Sequence, residues 1–258
     1  MITGQDPQAW YRATRKLNVR AKDATTGSLR IWREPFSCRE KRCVCTGTGH
    51  HSYVLGGDVG KGLSHGDPSV GLMLDITAGE FVAAMAGQIE PDVFGLEMGK
   101  FAKYYGKSSG GDRDAFAASE WNENGLVANK IMDLMGIPQF IHKSDDKVRG
   151  KHVADKLGVV VTPSNRARLL NEYLIPNLGR AEQGGEFPRL VMPFDEFWRD
   201  AETFVLLTPK TGELNPDKPK AGAMRGKHDD WLFAATHAIY VAMMHFGKCK
   251  GFYRRRSA

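Results

Sequence analysis

The sequence predicts an α/β fold in which a central mixed sheet of five or more strands is flanked by helices. Three observations carry that expectation. Three strand-like runs follow one another directly between residues 52 and 87. Helix and strand patterns then alternate, and the last long segment, from Asp229 on, is apolar on nearly every helical face.

Each element has a local reason. Residues 1–50 are polar and turn-rich, with one strand-like piece at 28–32 (SLRIW), and read as an arm or linker. In residues 52–58 (SYVLGGD) an apolar run ends in glycines and an acid, the pattern of a central strand opening into a loop. Residues 69–76 (SVGLMLDI) and 80–87 (EFVAAMAG) are two further strands joined by the turn Thr77-Ala78-Gly79. Pro91 opens a helical pattern through Phe94, Met98, Phe101 and Tyr105, which a Gly/Ser/Asp stretch ends. DAFAASEW, ending near Glu120, is the next strand, GLVANKIMDLMG a helix closed by Gly136, and PQFIHK a short fifth strand. The order is β-β-β-α-β-α-β. A helix begins after Thr162-Pro163-Ser164, and an acidic amphipathic segment follows at 194–204. The strand TFVLLT, a Pro/Lys/Gly-rich loop over 209–227 and the last helix complete the chain. The expected organisation is an arm over 1–50, one main domain over 51–250 and a basic tail over 251–258.

Composition narrows the class. A hydrophobic fraction of 41% and a charged fraction of 26% are those of an ordinary globular chain. No apolar run reaches the roughly 18–20 residues of a membrane span, and the polar N-terminus lacks a secretory core, so a cytoplasmic protein without a membrane partner is expected. The formal charge of +6 favours a polyanionic partner, and the basic residues are clustered, among them Lys143 with Lys147 and Arg149, Arg166 with Arg168, and Lys218 to Lys227. Cys38, Cys43 and Cys45 precede His50 and His51 without matching paired zinc-finger spacing. They read as reduced thiols in a loop, with a zinc knuckle as the alternative.

Three acidic positions end elements expected to be buried, where an unpaired carboxylate is costly. Asp58 ends the first strand, Glu120 the fourth, and Asp229 and Asp230 start the last helix. In this order the first and fourth strands are neighbours, which sets Asp58 beside Glu120, and the helix start can bring a third acid to them. Clustered carboxylates repel one another, and hard cations such as Mg²⁺ or Mn²⁺ are their natural compensation. Two such ions about 4 Å apart can activate water and stabilise the leaving oxygen in phosphodiester cleavage. Taken singly, each acid has a plainer reading: Asp58 as a turn cap, Asp229 or Asp230 at the positive end of a helix dipole.

The local wording joins these acids. GGDVGKGLSHGDPSVGLMLD (56–75) sets an acid before a glycine-rich loop and a strand hairpin. SEWNENG (119–125) reads E-x-N-x-x-G with its glutamate on Glu120 rather than Glu123, and VVVTPSNRARLLNEYL (159–174) is a threonine-containing turn with a basic helix start. GKHDDWLFAATHA (226–238) reads G-x-H-D-D at a helix start. In this order and spacing, over about residues 28–247, the chain resembles the C-terminal nuclease domain of the tailed-phage terminase large subunit.

The resemblance implies an RNase H-like, RuvC-related fold and a metal-dependent endonuclease that cuts concatemeric DNA with two Mg²⁺ or Mn²⁺ ions. It implies Asp58, Glu120 and one or both of Asp229 and Asp230 as metal ligands. Asp229 is the first choice of the last pair, although neighbouring helix residues point about 100° apart. Double-stranded DNA is the implied substrate. A terminase ATPase, the small terminase subunit and the portal are the implied partners, and the host cytoplasm is the implied location. No GxxxxGK[ST] motif is present, so the chain reads as the nuclease half alone, separately encoded or cut from a longer protein.

Lys61, Lys143, Arg166, Arg168 and Lys227 are the candidate DNA contacts, with a solvated basic face as the alternative. Gly60-Lys61-Gly62 is a tight turn or a phosphate cradle, His228 caps the last helix or touches metal or water, and His237 is expected to be packed. Two rival functions fit parts of the sequence. GGDVGKG also resembles the phosphate loop of sugar-kinase and actin-type phosphotransferases, and a non-catalytic DNA-binding adaptor is conceivable on the same fold.

Overall fold

A computed structural model of the chain describes residues 28–35, 51–63, 66–108, 114–142, 147–148, 151–152, 156–162, 165–178, 190–207, 220–223 and 228–246. The four cysteines, Lys143, Lys227 and the tail 251–258 lie outside the described residues.

Strands β1 (Ser28–Ile31), β2 (Tyr53–Asp58), β3 (Ser69–Asp75), β4 (Glu80–Gly87) and β5 (Phe116–Ser119) form a mixed sheet in the order β1-β4-β3-β2-β5. Only the β2–β5 pair is parallel, with Gly57 opposite Ser119. The β3–β4 turn closes where Asp75 Oδ1 accepts the Thr77 and Ala78 N–H groups at 2.9 Å and Gly79 takes a φ of 71°. Helices α1 (Pro91–Ser108) and α2 (Glu123–Leu134) follow the sheet's last turns. The helix α3 (Arg166–Leu169) runs through a π-helical turn (Leu170–Leu174) into α4 (Ile175–Leu178), and α5 (Asp195–Thr203) and α6 (Asp230–Phe246) complete the set.

Two apolar layers hold the sheet between these helices. Leu55, Met73 and Met85 face α1 and α2 with Phe94, Met98 and Met132, whereas Val54, Leu72 and Leu74 face α6 with Ala234, Ala235 and Ala238. α6 lies on β2 and β3 and is covered on its far side by α5 and the π-helical turn, which is why it is apolar all round. Gly56 permits the close approach, since a Cβ there would lie 2.2 Å from the Ala234 carbonyl oxygen. None of the described helices is long and apolar enough to cross a membrane.

Three sequence expectations need adjustment. Ser28–Ile31, read as part of an arm, is an edge strand paired with β4, so the sheet reaches into that segment. The run PQFIHK does not supply the fifth strand. Its Gln139 bridges Ala117, Val159 takes the next stretch of the β5 edge beside Glu120, and Ile141–His142 pairs instead with Lys156–Leu157. Two short segments thus share an edge that one strand was expected to cover. Within the expected loop, Lys220–Ala223 pairs antiparallel with Phe204–Leu207, although its small residues carry little strand signal.

Candidate metal centre

Strand alternation aims the two strand acids at one place. Val54 and Gly56 face α6, so Asp58, two residues on, faces α6 as well. Ala118 packs in the same layer, and Glu120 follows it by two. Pairing of Gly57 with Ser119 then puts Asp58 and Glu120 side by side at the C-terminal ends of neighbouring parallel strands. α6 begins over this edge and brings Asp229 and Asp230 to it.

One carbonyl ties the three elements together. The Gly57 oxygen accepts the Glu120 N–H at 3.2 Å and the His237 Nδ1–H at 2.8 Å. A carbonyl only accepts, so the buried imidazole carries a proton on Nδ1. Burial pushes the His237 pKa down to about 4, against the opposing pull of that hydrogen bond. His237 is therefore packed, as expected, and it links α6 to the residue preceding Asp58.

The E-x-N-x-x-G wording has a steric cause. Asn122 caps α2 by accepting the Gly125 N–H at 2.7 Å, and a Cβ on Gly125 would lie 1.8 Å from the Glu120 carbonyl oxygen. Asparagine and glycine thus fold the chain back directly after Glu120. Glu123 is left exposed on the first turn of α2.

The carboxylates crowd one another. The Asp58 pKa is raised well above the usual range by burial first, then by Glu120, Asp230 and Asp229, with Arg166 opposing. Glu120 is raised by burial, offset by Arg166, with Asp229 adding to the rise. Asp230 is pushed up to about 7 by burial, then by Asp67 and Asp229. Asp200, on α5, is pushed up to about 6 by burial while it accepts the Trp231 N–H at 3.0 Å and so caps α6.

The adjacent pair on α6 has divided roles. Asp229 Oδ2 lies 2.7 Å from Arg166 Nη2 and accepts the Ala223 N–H at 3.2 Å. Asp230 Oδ2 is buried without a hydrogen-bond partner, and its nearest cation candidate, His228 Nδ1, stands 3.6 Å away. His228 Nδ1 instead meets Asp67 Oδ1 at 2.9 Å.

The expected DNA contacts fall into three groups. Arg166 is committed to the site, paired with Asp229 and with its guanidinium 4.1 Å from the Phe233 ring centre. Arg168 is exposed, with Glu172 4.0 Å away, and Lys61 is exposed on the loop after β2. Lys143 and Lys227 lie outside the described residues. The loop glycines serve packing: a Cβ on Gly60 would sit 2.0 Å from the Asp67 carbonyl oxygen, and Gly62 has a φ of 71° against Glu90. Sequence reasoning missed Asp67 and Asp200. Asp67 stands nine residues beyond Asp58 inside the loop already singled out, whereas nothing in the amphipathic segment distinguishes Asp200 from its acidic neighbours.

Comparison with solved structures places this architecture. The large terminase nuclease from thermophilic phage G20c with bound magnesium superposes with a TM-score of 0.52 at 16% identity, covering 82% of this chain and 86% of that one. The chain has the fold of a large terminase nuclease domain. The Thermus phage P74-26 large terminase nuclease domain is 18% identical with a TM-score of 0.49, over 83% of this chain and 90% of that one. No family model and no curated protein sequence matches the chain. The terminase-nuclease fold is the RNase H-like arrangement expected from the sequence, a mixed five-stranded sheet between helical layers.

Proposed function

We propose that this chain is a divalent-metal-dependent DNA endonuclease, the nuclease part of a phage packaging terminase that cuts concatemeric DNA. One observation carries the reading. Four carboxylates, Asp58, Glu120, Asp229 and Asp230, meet at one sheet edge, where the Arg166 guanidinium pairs with Asp229 and only the His228 imidazole, 3.6 Å from Asp230, stands near as a second cation candidate among the described residues, and Asp230 keeps a buried oxygen without a donor. Such a set of hard oxygen donors is suited to Mg²⁺ or Mn²⁺, and room for two ions follows from carboxylates arriving from three elements. The G20c enzyme of the same fold binds magnesium.

Bound divalent ions would supply Lewis acidity and a water of lowered pKa. The chain's own residues do the positioning. Asp58 stands at the centre, crowded by the other three acids, and Glu120 is held beside it through the Gly57 carbonyl. Arg166 restrains Asp229, so within the pair we assign the freer ligand role to Asp230, the reverse of the first choice made from sequence. No nucleophilic side chain is needed, and water attacks the phosphodiester. Lys61 and Arg168, with Lys143 and Lys227, are proposed to follow the DNA backbone through charge alone. The packaging ATPase, the small terminase subunit and the portal are the partners this role calls for, in the host cytoplasm.

The phosphotransferase reading loses its footing in the loop. Gly60 and Gly62 are required by the approach of Asp67 and Glu90, so a phosphate is not needed to account for them. Supercoiled plasmid incubated with the chain tests the proposal. Mn²⁺ or Mg²⁺ should give nicked and linear products, EDTA should stop the reaction, and cutting that persists in EDTA would end the metal-dependent account.

A further inference from the structure

We propose that Asp67, His228 and Asp230 form an outer cation position that takes a divalent transition metal, with Mn²⁺ as the probe. The proposal rests on the reading that Asp230 belongs to a metal centre, and it extends that centre by two residues. The three side chains come from the loop before β3 and from the start of α6, where His228 stands two residues before Asp230. One ligand atom of each lies within 4.8 Å of the others.

The spacing suits one ion. An octahedral ion with bonds near 2.1 Å has neighbouring ligands about 3.0 Å apart. His228 Nδ1 lies 2.9 Å from Asp67 Oδ1 and 3.6 Å from Asp230 Oδ2, which brackets that edge. Asp230 supplies the second, independent indication. Its side chain is only 9% exposed, and its Oδ2 has no hydrogen-bond partner, so a buried carboxylate oxygen faces the other two ligands without a donor. Asp67 and His228 are 71% and 50% exposed, which leaves an ion a path from solvent. The loop is also pinned where it matters, since the Gly60 backbone lies directly against the Asp67 carbonyl.

An imidazole ligand changes which metal is preferred. Mg²⁺ favours oxygen, whereas a nitrogen donor raises relative affinity along the series from Mn²⁺ through Co²⁺ to Zn²⁺. His228 therefore makes this position more selective for a transition metal than the oxygen-only set of Asp58 and Glu120.

Pulsed electron paramagnetic resonance of Mn²⁺ bound to the whole chain tests this directly. The expected spectrum shows hyperfine coupling to a coordinated nitrogen, absent in His228→Gln. Asp67→Asn, on an exposed loop, should keep the coupling while weakening Mn²⁺ binding about tenfold. Should His228→Gln fail to fold, the wild-type spectrum still decides. Bound Mn²⁺ without nitrogen coupling, coupling that survives in His228→Gln, or no Mn²⁺ binding at all would each overturn the proposal. Plasmid cleavage by the same samples separates it from the functional reading. Cutting without nitrogen coupling removes the outer position alone, and nitrogen coupling without cutting supports the position and counts against the nuclease.

Discussion

Replacing each of the two adjacent acids of α6 by its amide should move metal-free stability in opposite directions. Burial and the neighbouring acids Asp67 and Asp229 push the Asp230 pKa from 3.8 up to about 7, which corresponds to about 4 kcal/mol of unfavourable ionisation above pH 7. Asp230→Asn removes that charge but keeps a buried polar group, so about half of the gain, roughly 2 kcal/mol, should survive. For a chain of this size that is a rise of about 4–8 °C in melting temperature. Asp229→Asn removes the 2.7 Å partner of Arg166, whose Nε is already buried without a partner. A cost of about 1–3 kcal/mol, and a fall of about 2–12 °C, follows. Calorimetry at pH 8 in EDTA is the assay. Shifts of the same sign, or a destabilising Asp230→Asn, would refute the division of roles between the two carboxylates.

Other outcomes follow from the same geometry. Gly125→Ala should cost about 2–4 kcal/mol and disturb the Glu120 backbone, because its Cβ would meet the Glu120 carbonyl at 1.8 Å; an unchanged melting temperature would contradict the packing described. Asp58 and Asp230 have raised pKa values when folded, so without metal the folded state holds more protons than the unfolded one and stability is lost as pH rises, over about 4 to 7 in the case of Asp230. Mn²⁺ binds the ionised form, so the melting-temperature gap between Mn²⁺ and EDTA should widen over that range, and a pH-independent gap would count against the site. His237 works the other way, with its pKa lowered from 6.5 to about 4, so the unfolded state takes up the proton first and stability falls as pH drops through that window by about 3 kcal/mol. His237→Phe removes that opposing contribution, so metal-free stability should fall more steeply as pH rises from about 4 to 6.5, and an unchanged slope would show that His237 does not make it.

Much of the sheet was legible because the signals are local. The alternation of 52–58, 69–76 and 80–87 and their turn chemistry place β2, β3 and β4, and the acid that ends β2 marks where the ladder opens. Asp58 and Glu120 were legible as neighbours because strand order and parity decide it, and both are short-range quantities. The position of Ser28–Ile31 was not, since its pairing with β4 spans more than fifty residues and an isolated strand pattern names no partner. Nor was the pairing of Arg166 with Asp229, which read as a DNA contact because a basic helix start looks the same whether it meets phosphate or carboxylate. Asp67 escaped for a related reason: only the fold shows that a loop acid, a histidine and a helix start converge.

If these carboxylates hold a metal that cuts DNA, neutralising one of them should stop cutting without unfolding the chain. Plasmid cleavage in Mn²⁺ by wild type and Asp58→Asn, measured side by side with DNA affinity and melting temperature, tests it most directly. Asp58→Asn should fold, bind DNA as before and not cut. A folded Asp58→Asn protein that cuts at the wild-type rate would contradict it.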